Sequence, residues 1–205
     1  RKEDYRLDVR HEFAVPDGHS LVCVVGMLRG DKAQELIIEL VAELKSRGRD
    51  VVALIIGSVT NSQSNYDQKL KSRAEQLGVT AAIRFTGYRE DIPRLTQACD
   101  AQVITSISVE AQSRTVPQAF ASSTPVVASR VGGIEELVED RQSGRLVGIG
   151  DVAAYSDALS EIMDNKGATD LMVAKARAFA EKNLRLETKM AQTMLIYGRL
   201  IGQRG

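Results

Sequence analysis

Tryptophan is absent, and the 205 residues hold only nine aromatic side chains, five Tyr and four Phe. That excludes a stacking platform for single-stranded nucleic acid. There are two cysteines, Cys23 and Cys99, two histidines, His11 and His19, and no C-x-x-C. A zinc site has no ligand set to draw on, and both cysteines read as buried free thiols in a reducing cytoplasm. Neither sign of charge dominates: 27 Lys and Arg balance 27 Asp and Glu. Duplex nucleic acid and anionic membranes therefore lose their usual electrostatic signature, although a local basic cluster stays open. Four prolines and sixteen glycines exclude a collagenous or disordered chain. No apolar run reaches the roughly 18 residues of a membrane-spanning helix. No D-x-D, G-x-S-x-G or H-E-x-x-H occurs, so metal-dependent and serine-hydrolase chemistry have no motif.

What is present is ordinary globular material, 43% apolar and 26% charged. The length suits one domain or one and a half, burying roughly 70% of the unfolded surface. The chain opens Arg1-Lys2-Glu3-Asp4 without Met, as a piece of a longer protein would. Residues 1–20 are polar without a clear period and read as a lead-in or linker. From Leu21 to 182, apolar β-branched runs alternate with helical patterns. Strands are expected over Leu21–Met27, Val51–Ile56, Ile83–Phe85, Ala101–Ser106, Pro125–Ser129 and Gly144–Val147. Helices intervene, the first capped by Asp31 and ended by Arg47-Gly48. Residues 57–65 read as a loop, and 183–205 as a C-terminal helix. Strands apolar throughout, alternating with helices, specify an α/β fold: a doubly wound, Rossmann-like parallel sheet of about six strands. Ligands of such sheets bind beyond the carboxyl ends of the strands.

Two loops at those ends carry chemistry. In Leu28-Arg29-Gly30-Asp31-Lys32 two cations sit three apart beside a helix start. They read either as a phosphate clamp, Arg forking and Lys adding a point charge, or as two solvated loop charges. In Ser106 to Gln118 polar donors and acceptors precede a helix, with Pro117 suited to its first turn. Glu110 and Gln118 could bond sugar hydroxyls, or the segment is a polar surface loop. The G-x-G-x-x-A pattern at Gly148–Ala153 follows the last strand, where no βαβ unit continues, and Asp151 reads as a helix cap. Glu135-Glu136 reads as a first-turn pair favoured by the helix dipole. Arg29-Gly30-Asp31 resembles an integrin-binding tripeptide only by chance.

Taken in order, Gly26-x-x-Arg29-x-x-Lys32, Phe85-Thr86-Gly87-Tyr88, Glu110 with a partner eight residues on, and Pro125-Val126-Val127-Ala128-Ser129-x-Val131-Gly132-Gly133 resemble the C-terminal half of glycosyltransferase family 4. These are retaining enzymes of the GT-B fold, and the likeness runs from about Leu21 to Leu146. It implies a nucleotide-sugar donor-binding domain facing a separate N-terminal domain. Arg29, Lys32 and Glu110 would be catalytic: the two cations would hold the diphosphate and stabilise the leaving group without a metal or a cofactor, and Glu110 would contact the donor sugar. Gly26, Tyr88, Arg89, Ile92, Arg114, Thr115, Val116, Pro117 and Gln118 would bind the nucleotide-sugar. Of these, Tyr88, Arg89 and Ile92 would border the base, and Val116 and Pro117 would present backbone to the phosphates and ribose. A UDP-sugar is favoured over a GDP-sugar.

The wording Gln112–Gln118 is similar to branches that build bacterial lipopolysaccharide and capsules. It implies a glycan or lipid-linked acceptor, a cytoplasmic enzyme at the inner face of the membrane, and peripheral membrane association through the missing domain. Two positions depart from the family: Gln118 stands where a second glutamate usually bonds the ribose, and Ala33 where a glycine usually follows the lysine. Ala33, being helix-compatible, is expected to do little harm. On this reading the fragment binds donor weakly and transfers nothing alone. Two other classes stay open, half of a sugar-nucleotide epimerase and a non-catalytic nucleotide-sugar-binding module.

Overall fold

The structure, a computed structural model, describes residues 2–59, 65–108 and 113–202. Among them are six strands: β1 (Ser20–Val25), β2 (Val51–Ile56), β3 (Ile83–Gly87), β4 (Ala101–Ile104), β5 (Val126–Ser129) and β6 (Arg145–Val147). All pair in parallel, in the order β3-β2-β1-β4-β5-β6. The register sets Cys23 opposite Leu54, Val22 opposite Ala101 and Val103 opposite Val127. This is the α/β, Rossmann-like sheet that the apolar runs imply.

The central strands are mostly apolar because both faces are covered. Alternate residues of β1 and β2 go to opposite cores. Val22, Val24, Ala53 and Ile55 join Ile37, Leu40, Val41 and Leu44 of α2 (Glu35–Ser46), together with Tyr155 and Leu159 of α7 (Val152–Asp164). Leu21, Cys23, Val52, Leu54 and Ile56 join Leu95 and Ala98 of α4 (Ile92–Ala98) on the other face. A third cluster lies under β5, where Val116, Ala119 and Phe120 of α5 (Thr115–Ala121) meet Ala176 and Ala180 of α8 (Lys166–Asn183). Further helices among the described residues are α3 (Tyr66–Gln76), α6 (Ile134–Leu137) and α9 (Leu186–Gly202). Asp151 caps α7, its Oδ1 accepting from Ala154 N–H at 2.9 Å. Cys23 and Cys99 are buried and free.

Three expectations need correction. The lead-in over 1–20 contains a helix, α1 (Lys2–Glu12), with Val9 fully buried against the second core. Its anchors are charged groups distant in sequence. Arg6 meets Asp100 at 2.6 Å, and Glu12 meets Arg89 at 2.9 Å and Arg94 at 2.8 Å. Asp31 caps no helix: it lies in a 3-10 turn, Gly30–Lys32, and α2 begins at Glu35. Ala33 has φ +46° and ψ +48°, left-handed backbone in which a Cβ is strained. Helix compatibility was the wrong criterion at this position. The start of the 57–65 loop is seen, whereas residues 60–64 lie outside the described ones.

Candidate nucleotide-sugar site

From β1 the chain builds outward through β2 to β3, then returns to place β4 on the other side of β1. The loops after β1 and β4 therefore diverge, and a crevice opens between them at the switch point. A cavity of about 370 Å³ fills it, lined by Gly26, Arg29, Lys32, Thr105, Arg114 and Thr115 among others. A second, of about 590 Å³, lies alongside under β2 and β3, lined by Gly57, Tyr88, Arg89, Ile92 and Gln118. Gly26, Met27, Arg114 and Thr115 line both, so the two form one cleft. Each volume is in the range of small-molecule sites.

The floor is made of backbone. Gly26 N–H donates to Ile56 O, Leu28 N–H to Ser58 O and Gly57 N–H to Gly87 O, each at 3.0 Å. This lacing brings Gly57, φ +145°, so close that a Cβ there would stand 1.9 Å from Gly26 O. Leu28 is buried and roots the next loop in the first core. The loop is then tied to β4: Thr105 Oγ1 donates to Lys32 O at 2.5 Å, and Ile107 N–H to Asp31 O at 3.0 Å. Buried Gln34 donates from Nε2 to Met27 O at 2.8 Å.

The two cations that the spacing singled out do meet in one cavity. Arg29 forks onto the Asp31 carboxylate, its Nη2 at 2.5 Å from Oδ2. That hydrogen bond holds the Asp31 carboxyl below its usual range and raises the guanidinium above its own. Asp31 thus occupies the Nε and Nη2 edge of Arg29. Arg114, exposed, closes the cleft from the β4 side and adds a third cation.

The other expected residues divide. Tyr88 is exposed and Ile92 half-buried at the start of α4, both on the second cavity. Arg89 lines that cavity too, but its guanidinium is engaged. It bonds Asp91 at 2.8 Å twice and Glu12 at 2.9 Å, and lies over the Phe13 ring. Only its backbone and stem are left for a base. Thr115 and Gln118 line the cleft. The Val116 side chain is fully buried in the third core, and its N–H faces Ser113 Oγ at 3.4 Å. Pro117 lies in a separate groove with Ala121, Arg177 and Leu184. Glu110 lies outside the described residues. Among those described, no group of His, Cys, Asp and Glu could hold a metal ion.

Gln34, Thr105 and Gln102 escaped the sequence reading. Gln102, buried in β4, donates from Nε2 to Thr115 O at 3.2 Å and so holds the opposite wall. A signal existed for both glutamines. Gln102 interrupts a fully buried strand, and Gln34 falls three and four residues before Ile37 and Ile38, on the buried side of α2.

A parallel sheet with a cation-lined cleft at its switch point is the layout in which open α/β domains bind their ligands. Residues 6–183 match the family described as Glycosyl transferases group 1. The chain belongs to that family. It is 28% identical over 204 residues to the D-inositol 3-phosphate glycosyltransferase of Salinispora arenicola, covering 96% of this chain and 45% of that one. Among solved structures, Anabaena Alr3699/HepE in complex with UDP-glucose superposes with a TM-score of 0.87 at 26% identity, over 93% of this chain and 52% of that one. The C-terminal domain of the group 1 glycosyl transferase LpcC from Francisella tularensis shares the fold, with a TM-score of 0.77 at 22% identity, over 88% of this chain and 93% of that one. The chain spans about half the length of the curated relatives it matches.

Proposed function

We propose that this chain is the donor-binding half of a retaining, GT-B, family 4 glycosyltransferase. It holds a nucleotide-sugar, a UDP-sugar before a GDP-sugar, while a second domain brings a glycan or lipid-linked acceptor. Lipopolysaccharide or another cell-surface polysaccharide is the product class this reading favours, made at the cytoplasmic face of a membrane. The observation that carries it is the convergence of Arg29, Lys32 and Arg114 on one switch-point cleft. As the sugar leaves, negative charge grows on the diphosphate. Cations preorganised there stabilise that charge without a metal. The second cavity, bordered by Tyr88, Ile92 and Gly57, supports a nucleoside subsite beside the cations. Gln118, exposed on the same wall, offers an acceptor and a donor to the ribose. The likeness to Alr3699/HepE, solved with UDP-glucose, supports the choice of base. The epimerase alternative gains no histidine, because neither His11 nor His19 lines the cleft.

Isothermal titration with UDP and GDP tests this. UDP binds in the micromolar to millimolar range. Arg29→Ala and Lys32→Ala each weaken it about 10-fold or more, as loss of a charge-assisted hydrogen bond does. No heat from either nucleotide at millimolar concentration, with the protein folded, would overturn the reading. Unchanged affinity in both variants would remove the clamp.

A further inference from the structure

The cation loop runs from Met27 to Ala33, with one 3-10 turn at Gly30–Lys32. Two backbone groups in its first half, Met27 O and Arg29 N–H, converge on one side chain, Gln34, which is 1% exposed. Its Nε2 donates to Met27 O at 2.8 Å, and its Oε1 faces Arg29 N–H at 3.4 Å. The two partners fix which way round the amide lies, since a carbonyl needs the NH₂ group and an N–H needs the oxygen. Gln34 also stands directly before α2, whose buried face is locked into the first core. The amide therefore transmits the fixed position of a packed helix to the backbone that carries Arg29.

We infer that Gln34 is a positioning residue for the diphosphate end of the cleft. Its bonds to Met27 and Arg29 set where the Arg29 and Lys32 side chains stand before a ligand arrives. A buried amide is costly unless satisfied, and a hydrophobic residue would fit this buried face of α2 with less penalty. Thr105 and Ile107 hold the second half of the loop at Lys32 and Asp31; what the amide adds is a fixed place for its first half, from Met27 to Arg29. Gln34 borders the first cavity, but its amide is turned onto Met27 and Arg29; it acts through the loop. The nucleoside end rests on Gly57, Tyr88 and Ile92, which Gln34 does not touch. Loss of the amide therefore weakens recognition of the second phosphate selectively.

The inference rests on the donor-binding reading, and two measurements separate the two. In the first, Gln34→Met is titrated with UDP and with UMP beside the unaltered protein. The variant weakens UDP at least about fivefold, consistent with one lost hydrogen bond amplified through a misplaced cation, and changes UMP less than about twofold. A merely structural role would move both alike, and an equal loss, or none, overturns the inference. In the second, amide hydrogen exchange is followed without nucleotide. Residues 27–32 exchange about tenfold faster in the variant, as a weakened local opening equilibrium requires, while β2 is unchanged. No acceleration overturns the inference even if the protein binds no nucleotide, an outcome that falls on the proposed function alone. Should Gln34→Met not fold, Gln34→Glu, of the same size, sets a carboxylate oxygen against Met27 O and carries both tests.

Discussion

A β-carbon at position 57 would collide with Gly26 O at 1.9 Å. Two loops that shape the cleft meet there backbone to backbone, so neither can give way without breaking the bonds from Gly26 N–H and Leu28 N–H. Gly57→Ala is expected to cost more than about 2 kcal/mol by urea denaturation and to abolish nucleotide binding, since a forced backbone shift is among the large effects of single substitutions. Position 33 is the opposite case. Ala33 tolerates a left-handed conformation that disfavours any Cβ by roughly 1–2 kcal/mol, and glycine returns part of that as unfolded-state entropy. Ala33→Gly should raise stability by up to about 1 kcal/mol in the same assay. A loss of stability would show that the strain is compensated elsewhere. The sequence displayed both positions; their backbone conformations were not readable from it, because a φ angle is set by what the loop packs against.

At the scale of elements, α1 is held mostly by charge. Glu12, Arg89, Asp91 and Arg94 form a network joining it to the loop after β3 and to α4. The hydrogen bond from Arg89 holds the Asp91 carboxyl well below the usual carboxylate range. A carboxylate whose folded pKa is depressed contributes stability above its unfolded value of about 4, and that contribution is lost as pH falls through the folded value. Asp91→Asn is therefore expected to lower stability by about 1 kcal/mol at pH 7 and to flatten the acid limb below about pH 4. Urea titrations between pH 3 and 7 measure both, and an acid limb as steep as before would discard the network's role. The helix was invisible in the sequence for the same reason. Val9 is its one fully buried apolar side chain, and its ion partners lie 77 to 94 residues away.

Over the whole molecule, α9 stands apart. Leu186, Met190, Met194, Leu195, Ile196, Tyr197, Leu200 and Ile201 are each more than half exposed. A helix of this length is marginal in water by itself, and its apolar side contributes almost nothing to the cores. Truncation after Arg185 should change stability by less than about 1 kcal/mol, in line with substitutions that bury no surface. It should also lower binding of a hydrophobic dye, read by fluorescence. A drop of several kcal/mol would mean that α9 packs against the sheet.

The chain's own pattern determined the layered fold, because residues apolar at both odd and even positions have to be covered on both faces, and helical patterns alternating with those runs supply the cover on either side of a parallel sheet. It also determined that Arg29 and Lys32 leave the same strand end, three residues apart. Tertiary structure alone decided the rest. It turned Arg29 toward Asp31, took the Arg89 guanidinium out of the cleft and Val116 into a core, moved Pro117 to another groove, and set Gln34 and Gln102 beneath the two walls. Each of those outcomes depends on which neighbours a side chain meets once the backbone is placed, and neither a contact within an irregular loop nor one across the sheet leaves a period to read.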